Sequence, residues 1–321
     1  MTRGEGRRRI VEFELAAAIF GTLPRRVSYA VMSVVAWIVV TLLPGNVAGL
    51  RQNLRVVLPD ASEREITRIV RRNTRNYAKF WVDLFRVPRM RPARRESLVS
   101  VDGEQNLRDV LARGKGCVVV AIHMGGWEGC CSYWGSGGRG GYDTALIAEV
   151  LEPAGLWRRI LRLRQTTGLR IIPLGRTAVR DILRRLRANG IVAGAIDRDI
   201  LGTARSRRFF GQFAPIPTGM IEVAQRTGAG VLPVVTLRDR GERYRVIGGA
   251  PVYIEPGPEA LEAAIQSLLR TFENWIREYP DQWHVMVPIF DAGAPEAATA
   301  AGHKPAIAAA PAGEREEVAV G

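Results

Sequence analysis

The chain has 321 residues, 47% of them hydrophobic and 24% charged, which supplies a sizeable core and excludes a disordered or fibrous protein. Its 46 Lys and Arg outnumber 32 Asp and Glu to leave a net charge of +14, and only Lys79, Lys115 and Lys304 are lysines. Such an excess calls for anionic partners, meaning nucleic acid, anionic lipid or a phosphorylated substrate.

Residues 1–9 carry four arginines and no apolar residue beyond Met1, so they should be solvated or lie on an anionic surface. Val27 to Leu43 contains no charge. As a helix that run would be roughly 26 Å long, the lower edge of what spans a bilayer. No small-residue cleavage site follows it, which disfavours a signal peptide. An embedded or interfacial membrane helix is expected, with a single span as the alternative. Residues 46–57 and 62–87 read as amphipathic helices. The second carries Arg68, Arg71, Arg72 and Arg75 on one face, and Tyr77, Phe80, Trp81 and Phe85 at core spacing on the other. The aromatics are read as packing, so nucleic acid is not the expected partner. A proline-broken basic connection, 86–95, then leads away from this region. The expected division is a helical, membrane-associating segment over 1–90, a core over 91–291, and an Ala/Pro/Gly/Glu-rich disordered tail over 292–321.

From Leu98 the pattern alternates strand and helix. It predicts a helix near 104–113, a strand 117–122, a helix 127–134, a strand 144–148, a helix 153–166, a strand 169–173, a helix 177–189 and a strand 191–196. The fold class is therefore α/β, a mainly parallel central sheet flanked by helices. Active sites in such sheets collect at the carboxyl ends of strands. His123 ends the first strand of this set, Glu149 follows the second, and Asp197-Arg198-Asp199 follows the last. After His123, Gly125 and Gly126 permit a tight turn and Trp127-Glu128 can open a helix. The spacing His-x-x-x-x-Glu is weak by itself, and a strand-capping histidine is the plainer account. Cys117, Cys130 and Cys131 have no zinc-ligand spacing, so no metal site and no disulfide framework are expected. A nucleophilic Cys130 or Cys131 competes with the simpler reading of small buried residues.

Beyond Asp199 comes a basic then aromatic loop containing Phe209 and Phe210, then Thr218 as the cap of a helix. A strand 231–237, a hairpin around Asp239 to Glu242, strands near 244–254 and a helix 258–278 complete the core. His284 is read as structural, and His303 falls in the tail.

Six motifs stand in order: His123-Met-Gly-Gly-Trp-Glu128 after a strand, Gly190 to Asp199, Phe209-Phe-Gly, Pro217-Thr-Gly, Thr227-Gly-Ala-Gly-Val-Leu-Pro233 and Tyr279-Pro-Asp-Gln-Trp283. Together they resemble the bacterial late acyltransferases, which group the lipid A lauroyl/myristoyl enzymes with the phosphatidylinositol mannoside acyltransferases. The resemblance covers about residues 10–291. Trp283-His-Val-Met-Val-Pro, in place of a Trp-x-x-Arg-Arg ending, favours the mannoside branch. It implies transfer of an acyl chain from acyl-CoA or acyl carrier protein, as co-substrate and without a cofactor, to a glycolipid hydroxyl at the cytoplasmic face of the plasma (inner) membrane. His123 and Glu128 match the motif's histidine and acid, Asp197 stands where a second acid pairs with the histidine, and Glu149 and Arg164 resemble further polar positions. Gly126 replaces the usual Asn.

The chemistry suits these residues. A neutral imidazole can take the hydroxyl proton, and a carboxylate, Glu128 or Asp197, would fix its tautomer. The oxyanion would be met by N–H groups near Gly125 and Gly126, or by Arg164 or Arg198. Arg198, Phe209 and Phe210 join Glu149 and Arg164 as expected substrate contacts. The arginine excess would meet phospholipid and CoA phosphates. Other expectations remain beside this one: a lipid A-type or other lysophospholipid acyltransferase, a cysteine hydrolase, and a non-catalytic basic membrane or nucleic-acid binding protein.

Overall fold

The structure, a computed structural model, describes residues 3–135, 140–175, 177–239 and 243–290. The expected tail, 292–321, lies outside the described residues, as does part of the hairpin turn at 240–242. Four helices come first: α1 (Arg3–Thr22), α2 (Arg25–Leu42), α3 (Ala48–Val57) and α4 (Glu63–Arg86). The arginine-rich beginning is helical from Arg3, with an Arg8–Glu12 ion pair one turn apart. A capping box starts α4: Ser62 Oγ accepts from the Glu65 N–H while the Glu65 carboxylate accepts from the Ser62 N–H.

After a short helix α5 (Pro92–Glu96), the core runs β1 (Val99–Asp102), α6 (Glu104–Ala112), β2 (Cys117–Ala121), α7 (Trp127–Trp134), β3 (Thr144–Ala148), α8 (Ala154–Gln165), β4 (Arg170–Pro173), α9 (Ala178–Arg187) and β5 (Ile191–Ala195). It continues with β6 (Arg205–Phe209), β7 (Gln212–Ile216), α10 (Gly219–Thr227), β8 (Gly230–Arg238), β9 (Tyr244–Gly248) and α11 (Pro258–Glu278). The main sheet has seven strands in the order β1-β9-β8-β2-β5-β3-β4, parallel except where β8 meets β9. Two differences from expectation stand out. The basic and aromatic stretch after Asp199 forms an antiparallel hairpin, β6 with β7, instead of a loop. Thr218 does precede α10, but its hydroxyl bonds the Glu222 carboxylate and not a backbone N–H.

The apolar run Cys117–Ile122 is explained by burial on both faces. Val118, Val120 and Ile122 enter one core layer with α9, α10 and α11, while Cys117 and Val119 enter the other with α6 and α7. The N-terminal helices are stitched to the far end of the chain. Asn53 on α3 donates to the Val285 and Val287 carbonyls, and Asn73 on α4 to those of Pro280 and Trp283.

Candidate active site

Strand register brings the first two groups together. β2 and β5 pair as parallel neighbours with Ala121 opposite Ala195, and the Ile196 N–H donates to the Ala121 carbonyl. Two residues beyond each strand end, His123 and Asp197 meet. Asp197 Oδ1 lies 2.7 Å from His123 Nδ1, and Oδ2 accepts the His123 backbone N–H at 2.8 Å. Trp283 Nε1–H donates to the same Oδ2 at 2.9 Å. Burial of Asp197 pushes its carboxyl up, but the charge and hydrogen bonds of His123 together with Trp283 outweigh that and hold it below the usual carboxylate range. An ionised Asp197 requires Nδ1 of His123 to carry the proton, which leaves a lone pair on Nε2. The His123 side chain is 31% exposed, so that edge is reachable.

Trp283 is positioned by backbone. It forms an isolated antiparallel bridge with Met124, the His284 N–H donates to the His123 carbonyl, and the Gly125 N–H donates to the Gln282 carbonyl at 2.8 Å. The last bond corrects an expectation: the Gly125 N–H is committed to protein and is no oxyanion donor. Gly125 has φ +65, and a Cβ there would lie 2.1 Å from the Thr236 carbonyl oxygen, so only glycine passes.

Glu128 takes a different partner. It is buried in the first turn of α7, where one carboxylate oxygen accepts from Arg164 Nε at 3.1 Å and Nη2 at 2.9 Å. The Arg164 guanidinium also lies 4.5 Å from the centre of the Trp127 ring. The carboxylate on His123 is therefore Asp197, and Glu128 holds Arg164. Glu149, one strand further along the same edge, is half-buried and makes no hydrogen bond or ion pair among the described residues. Arg198 is half-buried next to Asp197.

Phe209 and Phe210 sit behind the site. Both are buried against Trp283 and Phe290, so their link to His123 runs through the tryptophan that bonds Asp197. Phe210 has φ +52 at the hairpin turn, where its N–H donates to Glu273 and Arg277 covers its ring. Burial pushes the Cys130 thiol far up and that of Cys117 to about 12, which leaves neither as a thiolate nucleophile. On the α4 side an aromatic wall of Tyr77, Phe80 and Trp81 meets Trp127.

Sequence reasoning missed Trp283 as a site residue. Its motif was visible, but nothing in the spacing says that an indole N–H reaches the strand end. It also missed a buried cluster beside the turn, in which Asp83 of α4 accepts from Tyr29 and Arg25 of α2 and from Arg238 at the end of β8.

Residues 14–291 match the family described as bacterial lipid A biosynthesis acyltransferase. A phosphatidylinositol mannoside acyltransferase of Mycolicibacterium smegmatis (strain ATCC 700084 / mc(2)155) is 28% identical over 249 residues, spanning 76% of this chain and 79% of the relative. One from Mycobacterium tuberculosis (strain CDC 1551 / Oshkosh) is 28% identical over 250 residues, spanning 76% and 77%.

Proposed function

Because the chain belongs to the bacterial lipid A biosynthesis acyltransferase family and is an acyltransferase, we propose that it moves a fatty acyl group from a thioester to a hydroxyl of a phosphatidylinositol mannoside-type glycolipid, with His123 as general base. The observation that carries this reading is the Asp197–His123 pair, with Nδ1 tied to a buried carboxylate and Nε2 open. In the reaction Nε2 takes the acceptor hydroxyl proton as the oxygen attacks the thioester carbonyl. Asp197 stabilises the imidazolium so formed. The tetrahedral oxyanion collapses, the carbon–sulfur bond breaks, and the departing thiolate receives the proton from Nε2. Arg164 near the end of α8, held by Glu128 against Trp127, and Arg198 next to Asp197 would meet the oxyanion. Acyl-CoA or an acyl carrier protein would be the donor.

Membrane association is supported by α2, whose Val34, Trp37 and Leu42 are 58%, 58% and 65% exposed. It is the one helix among the described residues long and apolar enough to cross a membrane, and it packs along α4 by its other side. An attitude along the cytoplasmic surface of the inner membrane would present the His123 edge to lipid acceptors.

The test is direct. Purified full-length protein is incubated with palmitoyl-CoA or an acyl carrier protein thioester and a phosphatidylinositol mannoside in mixed micelles, and products are weighed by mass spectrometry. The expected product is one acyl chain heavier, and it is absent with His123→Ala while circular dichroism stays unchanged. No acylated glycolipid from either donor, or full turnover by His123→Ala, would overturn the reading.

A further inference from the structure

Around the Tyr29 ring of α2 the structure gathers three cations. The Arg25 guanidinium lies 5.0 Å from the ring centre, the Lys79 ammonium 5.3 Å and the Arg238 guanidinium 5.5 Å. Asp83 of α4 lies among them. It is fully buried and lies 3.3 Å from Arg25 Nη2 and 2.6 Å from Arg238 Nη2. Arg25 and Arg238 both lean on Asp83, and Lys79 stands beside them in a partly dry place, where an ammonium without an acid of its own is costly.

The cluster has an open end. Lys79 is half-buried and, among the described residues, makes no hydrogen bond or ion pair, so its three N–H donors point at no protein acceptor. Burial, with Arg238 and Arg75 adding, pushes its ammonium below the usual lysine range. Arg238 Nε is buried without a partner. The cluster also touches the catalytic turn: Arg238 Nη2 lies 3.5 Å from where a Cβ on Gly126 would stand. Outward along α4, Arg75, Arg72, Arg71, Arg68 and Arg64 continue the positive stripe at helical spacing, with Lys79 as its inner end.

From this geometry, and resting on the acyl-transfer reading above, we infer that Lys79 with Arg238 behind it forms a subsite for a phosphate group of the substrate, next to the His123 turn. A phosphate supplies the negative charge and the acceptor oxygens that the Lys79 ammonium lacks, and the compact ammonium meets it as a point charge. Two substrates could bring one: the glycerophospholipid acceptor through its phosphodiester, and a CoA or phosphopantetheine donor. The acceptor fits better, since α2 carries both Tyr29 and the apolar exposed face, which puts the subsite where a lipid head group would lie.

The experiment compares wild type, Lys79→Met and Lys79→Arg. Glycerophosphoinositol is titrated into full-length protein by calorimetry, a readout that needs no turnover. Kinetics are then taken with a phosphatidylinositol mannoside against octyl mannoside, which lacks phosphate, and with palmitoyl-CoA against palmitoyl-N-acetylcysteamine, which also lacks it. Lys79→Met is expected to raise the KM for the phosphorylated acceptor about tenfold, the loss of one charge-assisted hydrogen bond, with kcat within about twofold. The octyl mannoside KM stays put, glycerophosphoinositol binding weakens in parallel, and Lys79→Arg restores most of both. A rise confined to the palmitoyl-CoA KM would support the subsite and assign it to the donor. Unchanged binding and unchanged KM values, or equal losses with phosphate-free substrates, would overturn it. Absence of turnover by wild type with every acceptor would instead defeat the acyl-transfer reading, while the binding titration still decides the subsite. Melting curves check that each variant is folded.

Discussion

Asp197 and Glu128 show how two buried carboxylates on neighbouring elements take different work from their donors. Asp197 accepts two N–H bonds from His123 and one from Trp283, so replacing it by Asn puts an amide N–H against a donor and favours the wrong imidazole tautomer. Asp197→Asn should lower kcat about a thousandfold or more with KM little changed, read by steady-state kinetics. Glu128→Gln should loosen Arg164 and leave the imidazole tautomer as it is. Its loss should be roughly ten- to a hundredfold, Arg164→Lys should match it, and the double variant should be no worse than either single one. Equal losses at 128 and 197 with full additivity would contradict this division. The sequence marked all three residues, but not which carboxylate holds the imidazole. That choice rests on strand register and on a tryptophan 86 residues away, neither of which local spacing contains. His284 carries a further consequence. Burial, reinforced by Arg238, lowers its pKa to about 3. The unfolded chain binds a proton there below about pH 6.5 while the folded chain does not, so stability falls as pH falls. Asp197 adds to acid sensitivity only below about pH 4. Urea unfolding at pH 7 and pH 5 should therefore show wild type losing about 2 kcal/mol more than His284→Asn across that interval.

At the scale of elements, the turn between β2 and α7 is shaped by what packs over it. A Cβ on Gly126 would come within 2.6 Å of the Tyr244 ring on β9, and one on Gly129 within 2.2 Å of it. Glycine at 126 thus has a steric cause: the tyrosine ring fills the space a side chain would take, and its hydroxyl accepts from Arg25. Gly126→Ala should destabilise the protein by about 1–3 kcal/mol, from overpacking. Gly126→Ala with Tyr244→Leu should cost less than the sum of the two single changes, because the smaller residue admits the methyl; denaturant titration of the four proteins measures the coupling. Strict additivity would mean that the ring is not the obstacle. The βα alternation from β2 to β5 was legible because buried parallel strands read as apolar runs between helical patterns. The β6–β7 hairpin was not: Arg205, Arg207 and Arg208 mask its alternation, and its tie to the core runs through Arg207 to Glu262 on the distant α11. Helix α1 escaped for a related reason, since its support is lateral, through Phe13 against Phe85 and Glu14 against Arg159.

For the molecule as a whole, the excess of cations and the exposed apolar helix lie on adjoining elements. α2 rests on α4, and α4 carries the arginine stripe from Arg64 to Arg75. The charge imbalance was plain in the composition, but its concentration beside α2 depends on how the two helices pack. If this combined surface is what meets the bilayer, its two parts should separate by their salt response. The arginine contribution is screened as the Debye length shrinks to a few ångströms near 1 M salt, while burial of apolar side chains is not. In sedimentation with vesicles containing phosphatidylserine, wild type should bind more weakly at 1 M than at 0.1 M salt yet retain a salt-resistant fraction. Val34→Ser with Trp37→Ser removes two side chains exposed at 58% each and should abolish that fraction, a fall of at least tenfold, while keeping the salt-sensitive part. Arg68→Gln with Arg72→Gln should do the reverse, lowering binding at 0.1 M and leaving the value at 1 M unchanged. Should the serine variant partition like wild type at both salts, α2 would have to be read as a helix that covers a protein partner, and the surface assigned to lipid would shrink to the arginine stripe.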